Sequence, residues 1–317
     1  MASGIFNTPT QSFLYTDVVP VESLNSGDIA VFGAPHGTSY GGLGDVNYNV
    51  ATDSANAPRA IRHAANESSS NIDHYDFDLG GPLMAGGQRR LVDLGDLDLG
   101  VGKGEDNRQA IQGATTSVLQ RGATPVILGG DDSIPIPFLR AFADRGSIDI
   151  LQIDAHIDWR DRIDGEPDGY SSTMRRASEL PFVRSITQIG MRGVGSARPQ
   201  EVQTALDWGA RLITVAETRK LGRQGITDTI PTGGNLLLQL DCDALDTSVC
   251  PAVNAPTPGG FQYDELADVI RTVIAQRQTV GFSIVELVPT LDSNMISAIA
   301  AARITCNVIG SLARSFT

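Results

Sequence analysis

In the stretch Leu151–Asp161, LQIDAHIDWRD, three side chains able to ligate a metal stand at alternate positions: Asp154, His156 and Asp158. The apolar run Ile148–Ile153 before them reads as a buried strand. Strand alternation puts all three on one side, and a chain leaving the sheet can fold them round one centre. A carboxylate–imidazole–carboxylate set suits Mn²⁺, Fe²⁺, Ni²⁺ or Zn²⁺ better than Ca²⁺, which prefers oxygen only. A second pair of acids, Asp241 and Asp243, closes the apolar run Asn235–Leu240, and Asp131 and Asp132 follow Val126–Leu128 in VILGGDDS. In an open parallel sheet such strand ends share one edge, where ligands bind. Acids gathered there repel one another unless a cation compensates. Two divalent metals are the simplest account.

The elements that must position these residues follow from periodicity. Strands are expected over Asp28–Phe32, Leu91–Leu94, Pro125–Leu128, Ile148–Ile153, Ile186–Ile189, Leu212–Val215, Asn235–Leu240 and Val280–Val285. Helices are expected over Ala57–Ala65, Arg108–Arg121, Ile136–Arg145, Ser171–Leu180, Pro199–Trp208, Tyr263–Gln278 and Ser293–Ala313, the last capped by Asp292 or Ser293. Strand and helix alternate without a Pro- or Ser-rich linker, so a single doubly wound α/β/α domain over 1–317 is expected. Residues 1–27 are expected to form an N-terminal arm and Gly41–Pro58 a long loop, of the kind that is often functional at strand ends. With 317 residues, 41% of them hydrophobic, the chain can bury a large core. A net charge of −13 argues against nucleic-acid and anionic-membrane surfaces and for cationic small molecules. No apolar run reaches membrane-spanning length and Met1–Phe13 lacks the regions of a secretory signal. Cys242, Cys250 and Cys306 read as buried thiols of a reducing cytoplasm, with Cys242 on the side of the sheet away from the ligands.

The blocks GGDDS, DAHID and DCDALD, with GAPHGTSY, PRAIR, DLGDL, TMRRA, QIGMRG and VELVP in the same order, resemble the ureohydrolase (arginase–agmatinase) family, most nearly its agmatinase branch. The resemblance spans Gly33–Pro289. It implies a three-layer α/β/α fold round an eight-stranded, mainly parallel sheet, and a binuclear Mn²⁺ or Ni²⁺ site. It also implies trimers or hexamers, and hydrolysis of a guanidino compound to urea and an amine. Carried over position by position, it makes Asp132, Asp154, His156, Asp158, Asp241 and Asp243 the ligands. Asp158 would accept a hydrogen bond from the attacking water, and Glu286 would grip the guanidinium, as a carboxylate at a strand end can do bidentately.

Two positions depart from the family. Asp132 stands where the first block usually carries His, so five aspartates and one histidine leave two dications one negative charge in excess. Water in such a site ionises less readily. Ser171 occupies the place of the family's proton-shuttle histidine, and a serine hydroxyl does not take up an extra proton near neutral pH as an imidazole does. Among the four histidines, His36 lies at the end of the first strand and is the candidate substitute, while His63 and His74 read as surface residues. Trp159 and Arg160 are expected to pack and pair behind the metal loop. Two other readings stand beside a guanidino hydrolase: a catalytically weak metal-binding partner subunit, and a hydrolase of another linear amide or amidine.

Overall fold

The computed structural model describes residues 6–38, 40, 53–69, 72–85, 88–100, 103–195 and 197–315. Its strands are β1 (Phe6–Asn7), β2 (Ile29–Gly33), β3 (Tyr75–Asp76), β4 (Gly81–Pro82), β5 (Leu91–Leu97), β6 (Thr124–Leu128), β7 (Ile148–Ile153), β8 (Val183–Met191), β9 (Arg211–Thr214), β10 (Asn235–Asp241) and β11 (Gln278–Val285). Nine form one sheet in the order β1-β5-β2-β6-β11-β10-β7-β8-β9, and β3 and β4 make a separate small hairpin. Eight of the nine run parallel, as expected. The ninth, β1, is a two-residue antiparallel addition on the edge, which the sequence analysis did not foresee.

The strands read as unbroken apolar runs because both faces are covered. Leu151 and Ile153 of β7, with Leu236, Leu238 and Leu240 of β10, pack on one side. There they meet α1 (Ala57–Ser68), α7 (Tyr263–Gln276) and α8 (Ile296–Arg314). Ile148 and Ile150 of β7 and Leu237 of β10 face the other side. They are covered by α2 (Gly104–Gln120), α3 (Pro135–Arg140), α4 (Thr173–Ser178) and α5 (Pro199–Trp208), while α6 (Val215–Thr229) lies on the first side. The result is the three-layer α/β/α architecture.

Several boundaries differ from expectation, each for a local reason. α4 starts at Thr173 rather than Ser171, because Ser171 is left-handed at φ 74°. α3 stops at Arg140, where the chain tightens into i→i−3 turns such as Arg145 N–H to Phe142 O. α8 begins at Ile296, after a left-handed Met295. Asp292 still caps it, from further upstream than expected, its carboxylate accepting from Ser297 N and Ala298 N at 3.0 and 2.9 Å. α8 is also the one helix among the described residues long and apolar enough to cross a bilayer, yet 83% of that window is buried inside the fold. The expectation that no apolar run is long enough is corrected accordingly: this one is the core helix. Of the loop expected over Gly41–Pro58, residues 41–52 lie outside the described residues, and the remainder is a 3₁₀ turn, Ser54–Asn56, leading into α1.

One buried ion pair ties α1 to β5. Arg62, 1% exposed, forks onto Asp93 at 2.8 and 2.9 Å and reaches Asp96 at 2.5 Å. Asp93 also accepts from the backbone of Phe13 and Gly95. Arg62→Met removes the cation and leaves Asp93 charged in the core. The expected loss is about 3–5 kcal/mol of unfolding free energy, read by urea denaturation; a loss well under that would show that the pair is dispensable.

Candidate metal centre

Four neighbouring strands, β6, β11, β10 and β7, lie at the middle of the sheet, where later strands insert between earlier ones. Ligands bind at such switch points beyond the carboxyl ends of the strands. Each strand ends there in acid: Asp132 after β6, Glu286 after β11, Asp241 and Asp243 at β10, and Asp154 to Asp158 after β7. Gly130, after β6, also lets the chain leaving β2 come close: a Cβ there would lie 1.8 Å from the His36 carbonyl oxygen. Glu286 donates its N–H to Gly130 O at 2.7 Å, and its Oε1 accepts from Asp132 N at 2.8 Å, so the two strand ends lock together. Asp158, Ser171 and Glu286 are all left-handed, at φ 49°, 74° and 66°. Such strained backbone clusters where a site demands a particular aim of the side chain.

The potential ligands converge. Ligating atoms of Asp154, His156 and Asp243 lie within 4.8 Å of one another, as do those of Asp132, Asp154 and Asp241. Asp154 belongs to both sets. His156 Nδ1 stands 2.9 Å from Asp243 and 3.4 Å from Asp154. Asp158 joins through a shared amide: Gln152 Nε2 donates to Asp154 at 2.8 Å and to Asp158 at 2.6 Å. Asp132 takes a bond from Gln239 Nε2 at 2.7 Å on Oδ1, while Oδ2 is buried without a hydrogen-bond partner. An orphaned carboxylate oxygen among other buried carboxylates is an acceptor awaiting a cation. A set dominated by oxygen with one imidazole fits hard or borderline divalent ions such as Mn²⁺.

These carboxylates are held in the interior at a cost. Burial, then the charges of neighbouring acids, push Asp132, Asp154 and Asp241 well above the usual carboxylate range, and burial followed by Asp131 does the same to Glu286. Burial works against the His156 imidazolium, but its bonds to Asp154 and Asp243 prevail and push it up to about 12. Asp243 moves the other way: burial would raise it, but His156 and the Ala155 N–H hold it low.

Three glutamines that the sequence analysis had read only as strand residues support this cluster. Gln239, Gln152 and Gln188 are paired in register across β10, β7 and β8. Gln188 donates to Gln152 and accepts from Trp159 Nε1 at 2.8 Å. The signal was a polar side chain inside an apolar run, which for Gln152 and Gln239 lies two residues before a ligand. Trp159 is buried and paired as expected. Cys242, Cys250 and Cys306 are buried and unbridged, and Cys242 packs in the core layer opposite the ligands.

Above the cluster opens a cavity of about 240 Å³. Asp132, His156, Asp158, Asp241, Asp243 and Glu286 line it, and so do Ser171, Tyr170, Arg160 and Asn254. Arg160 therefore does not lie behind the metal loop as expected; its backbone N–H bonds to Ser171 O at 3.0 Å and turns the residue to the cavity. His36 is not brought into the lining. Its ring is buried, with Nδ1 accepting from Asn107 Nδ2 of α2 at 2.9 Å. Asp131 accepts from Thr38 N, Ser133 N and Ser133 Oγ. His63 and His74 are exposed.

Carboxylates and an imidazole at the switch point of a doubly wound parallel sheet, opening into a cavity, are the layout of a metal-dependent α/β hydrolase. The family model described as the arginase family matches residues 27–310, and the chain belongs to that family. It is 30% identical over 259 residues to a formimidoylglutamase of Halobacterium salinarum, covering 78% of each chain. The solved proclavaminate amidino hydrolase of Streptomyces clavuligerus has the same fold, with a TM-score of 0.81 at 24% identity over 98% of this chain and 99% of that one. The agmatine ureohydrolase of Thermoplasma volcanium gives a TM-score of 0.73 at 25% identity, over 95% and 94%.

The raised carboxylates fix how metal-free protein responds to pH. For Asp132, Asp154, Asp241 and Glu286 the fold favours the protonated form. Their stabilisation is complete below the ordinary carboxylate range and is lost as pH climbs through the raised values. Asp243 opposes this, losing its contribution on acidification. Metal-stripped protein should therefore melt lower at about pH 8 than at about pH 5, and Mn²⁺ should restore more at the higher pH. Asp154→Ala, common to both sets, should abolish the Mn²⁺-induced rise in calorimetry. Equal melting at both pH values with no response to Mn²⁺ would contradict a cation site.

Proposed function

We propose that the protein is a binuclear metal-dependent hydrolase that cleaves the C–N bond of a guanidino compound, releasing urea and an amine. The observation that supports this most is Glu286, a buried carboxylate in the cavity lining beside the ligand sets. With Oε1 occupied by Asp132 N–H, its second oxygen remains for the N–H groups of a planar cation. Asp132, Asp154, His156, Asp158, Asp241 and Asp243 are the ligands in this reading. Two divalent ions held there, Mn²⁺ or alternatively Ni²⁺, would polarise the guanidino carbon and acidify water.

The chain's own residues then orient the reaction. Asp158 accepts a hydrogen bond from the attacking water and aims its oxygen at the guanidino carbon. Glu286 keeps the guanidinium plane fixed. Tyr170, whose phenol is raised by burial and by Glu286, stays protonated as a donor at the cavity wall. The oxygen adds to carbon, the C–N bond to the tail breaks, and the tail nitrogen leaves as an ammonium, both protons of that water passing to it as its oxygen becomes the urea carbonyl. Ser171 lines the cavity but cannot store a proton as an imidazole would, and His36 is held away by Asn107, so solvent takes this part. The same arrangement accommodates a formimidoyl group, also a planar amidinium. The formimidoylglutamase relative favours that as a second reading.

Mn²⁺- or Ni²⁺-loaded protein should release urea from guanidino compounds, or formamide from a formimidoyl compound. Asp158→Asn should lower kcat by about 10²–10⁴-fold, and Glu286→Gln should lower kcat/KM by about ten- to hundredfold, the worth of a charged hydrogen bond. No release of either product from a broad panel would favour a non-catalytic partner subunit.

Because Asp132 adds negative charge where the family carries a neutral imidazole, turnover should rise toward alkaline pH. Asp132→His should shift the rising limb of the pH–rate profile downward, and His36→Asn should leave it in place. A profile flat from neutral to alkaline pH and unmoved by Asp132→His would contradict this account of the protons.

A further inference from the structure

The cavity is lined by charges of both signs. Its deepest wall is acidic, with Asp132, Asp241 and Asp243 almost wholly buried. Ile163 and Ala255 add apolar surface, and the half-buried Arg160 and Asn254 complete the lining. Among the described residues lining the cavity, Arg160 is the one arginine or lysine.

The segment that carries Arg160 is anchored at several points. Arg160 N–H bonds to Ser171 O, and Ile163 and Glu166 exchange backbone hydrogen bonds at 3.0 and 2.8 Å. Arg140 of α3 forks onto Asp168 at 2.8 and 3.0 Å, while Arg108 of α2 lies 3.5 Å from Glu166. Tyr40 donates to Tyr170 O at 2.7 Å and packs on its ring at 4.6 Å. Arg160 thus projects from a fixed frame rather than from a free loop.

We infer that Arg160 selects the substrate tail: this site takes a guanidino or amidino compound ending in a carboxylate, not one ending in an amine. The inference rests on the function proposed above, with the planar cation at Glu286. An amine tail such as that of agmatine would bring a second cation toward a guanidinium in a site of low dielectric. A carboxylate tail would meet a planar fork of N–H donors, with Asn254 and Ser171 beside it. Ile163 and Ala255 offer apolar surface in the same cavity to the methylenes between the two ends.

Two sources supply this chemistry, ω-guanidino acids and formimidoyl amino acids, and their products separate them as urea or formamide. The test is calorimetric titration of Mn²⁺-loaded protein with 4-guanidinobutyrate, N-formimidoyl-L-glutamate and agmatine, run beside product assays. At least one acid should bind roughly ten- to hundredfold more tightly than agmatine, the worth of a charged hydrogen bond. Arg160→Gln should remove that preference by weakening the acids selectively, mainly in KM. Arg160→Lys should keep part of it, and Arg160→Glu should reverse it. Agmatine binding as tightly as the acids, or Arg160→Gln weakening all three alike, would overturn the inference. Acids that bind through Arg160 yet yield neither urea nor formamide would overturn the hydrolase reading and leave the tail selectivity standing.

Discussion

Mutual repulsion among buried carboxylates governs this structure. Asp132, Asp154, Asp158, Asp241, Asp243 and Glu286 come from four strand ends into one volume, and only His156 among the converging ligand groups can carry positive charge there. Desolvation and like charge both oppose such a gathering. The chain offsets them partly with neutral donors: the amides of Gln152 and Gln239 and the backbone N–H groups of Asp132, Ala155 and His156. Fixed dipoles hold the geometry but leave the net charge, and a pair of divalent cations would remove most of it. Cations bound there would stabilise only the native arrangement and so couple the site to folding.

The sheet makes this convergence possible because its central strands are parallel and buried on both faces. Alternation sends Gln152 and Gln239 to the same layer as Ile150 and Leu237, while Leu151, Leu238 and Cys242 go to the other. The even spacing of ligands within each block continues that alternation past the strand end. The Arg62–Asp93 pair and the glycine at position 130 do related work elsewhere, one fixing α1 to the sheet and the other letting two strand ends touch.

What the sequence made legible was whatever repeats locally. Parallel strands, their order of alternation with helices, and the acids at their ends are all written within a few residues of each other. Position 171 shows where that stops: Ser171 reads as a helix start until its left-handed backbone is seen, and the strain is set by its place at the cavity. His36 and Arg160 were misplaced for a similar reason. The ring of His36 is claimed by Asn107, seventy-one residues away, and Arg160 is turned by Ser171 and a loop anchored on α2 and α3. The glutamine row is legible only once register is known, since no single strand reveals that its neighbour also carries a polar residue at that level.

The most direct measurement of the central claim is anomalous diffraction from crystals grown with Mn²⁺. Two anomalous peaks per chain are expected, one among Asp154, His156 and Asp243 and the other among Asp132, Asp154 and Asp241, with Asp154 shared. A single peak, or none within the cluster at saturating Mn²⁺, would contradict the account that two cations hold these carboxylates together.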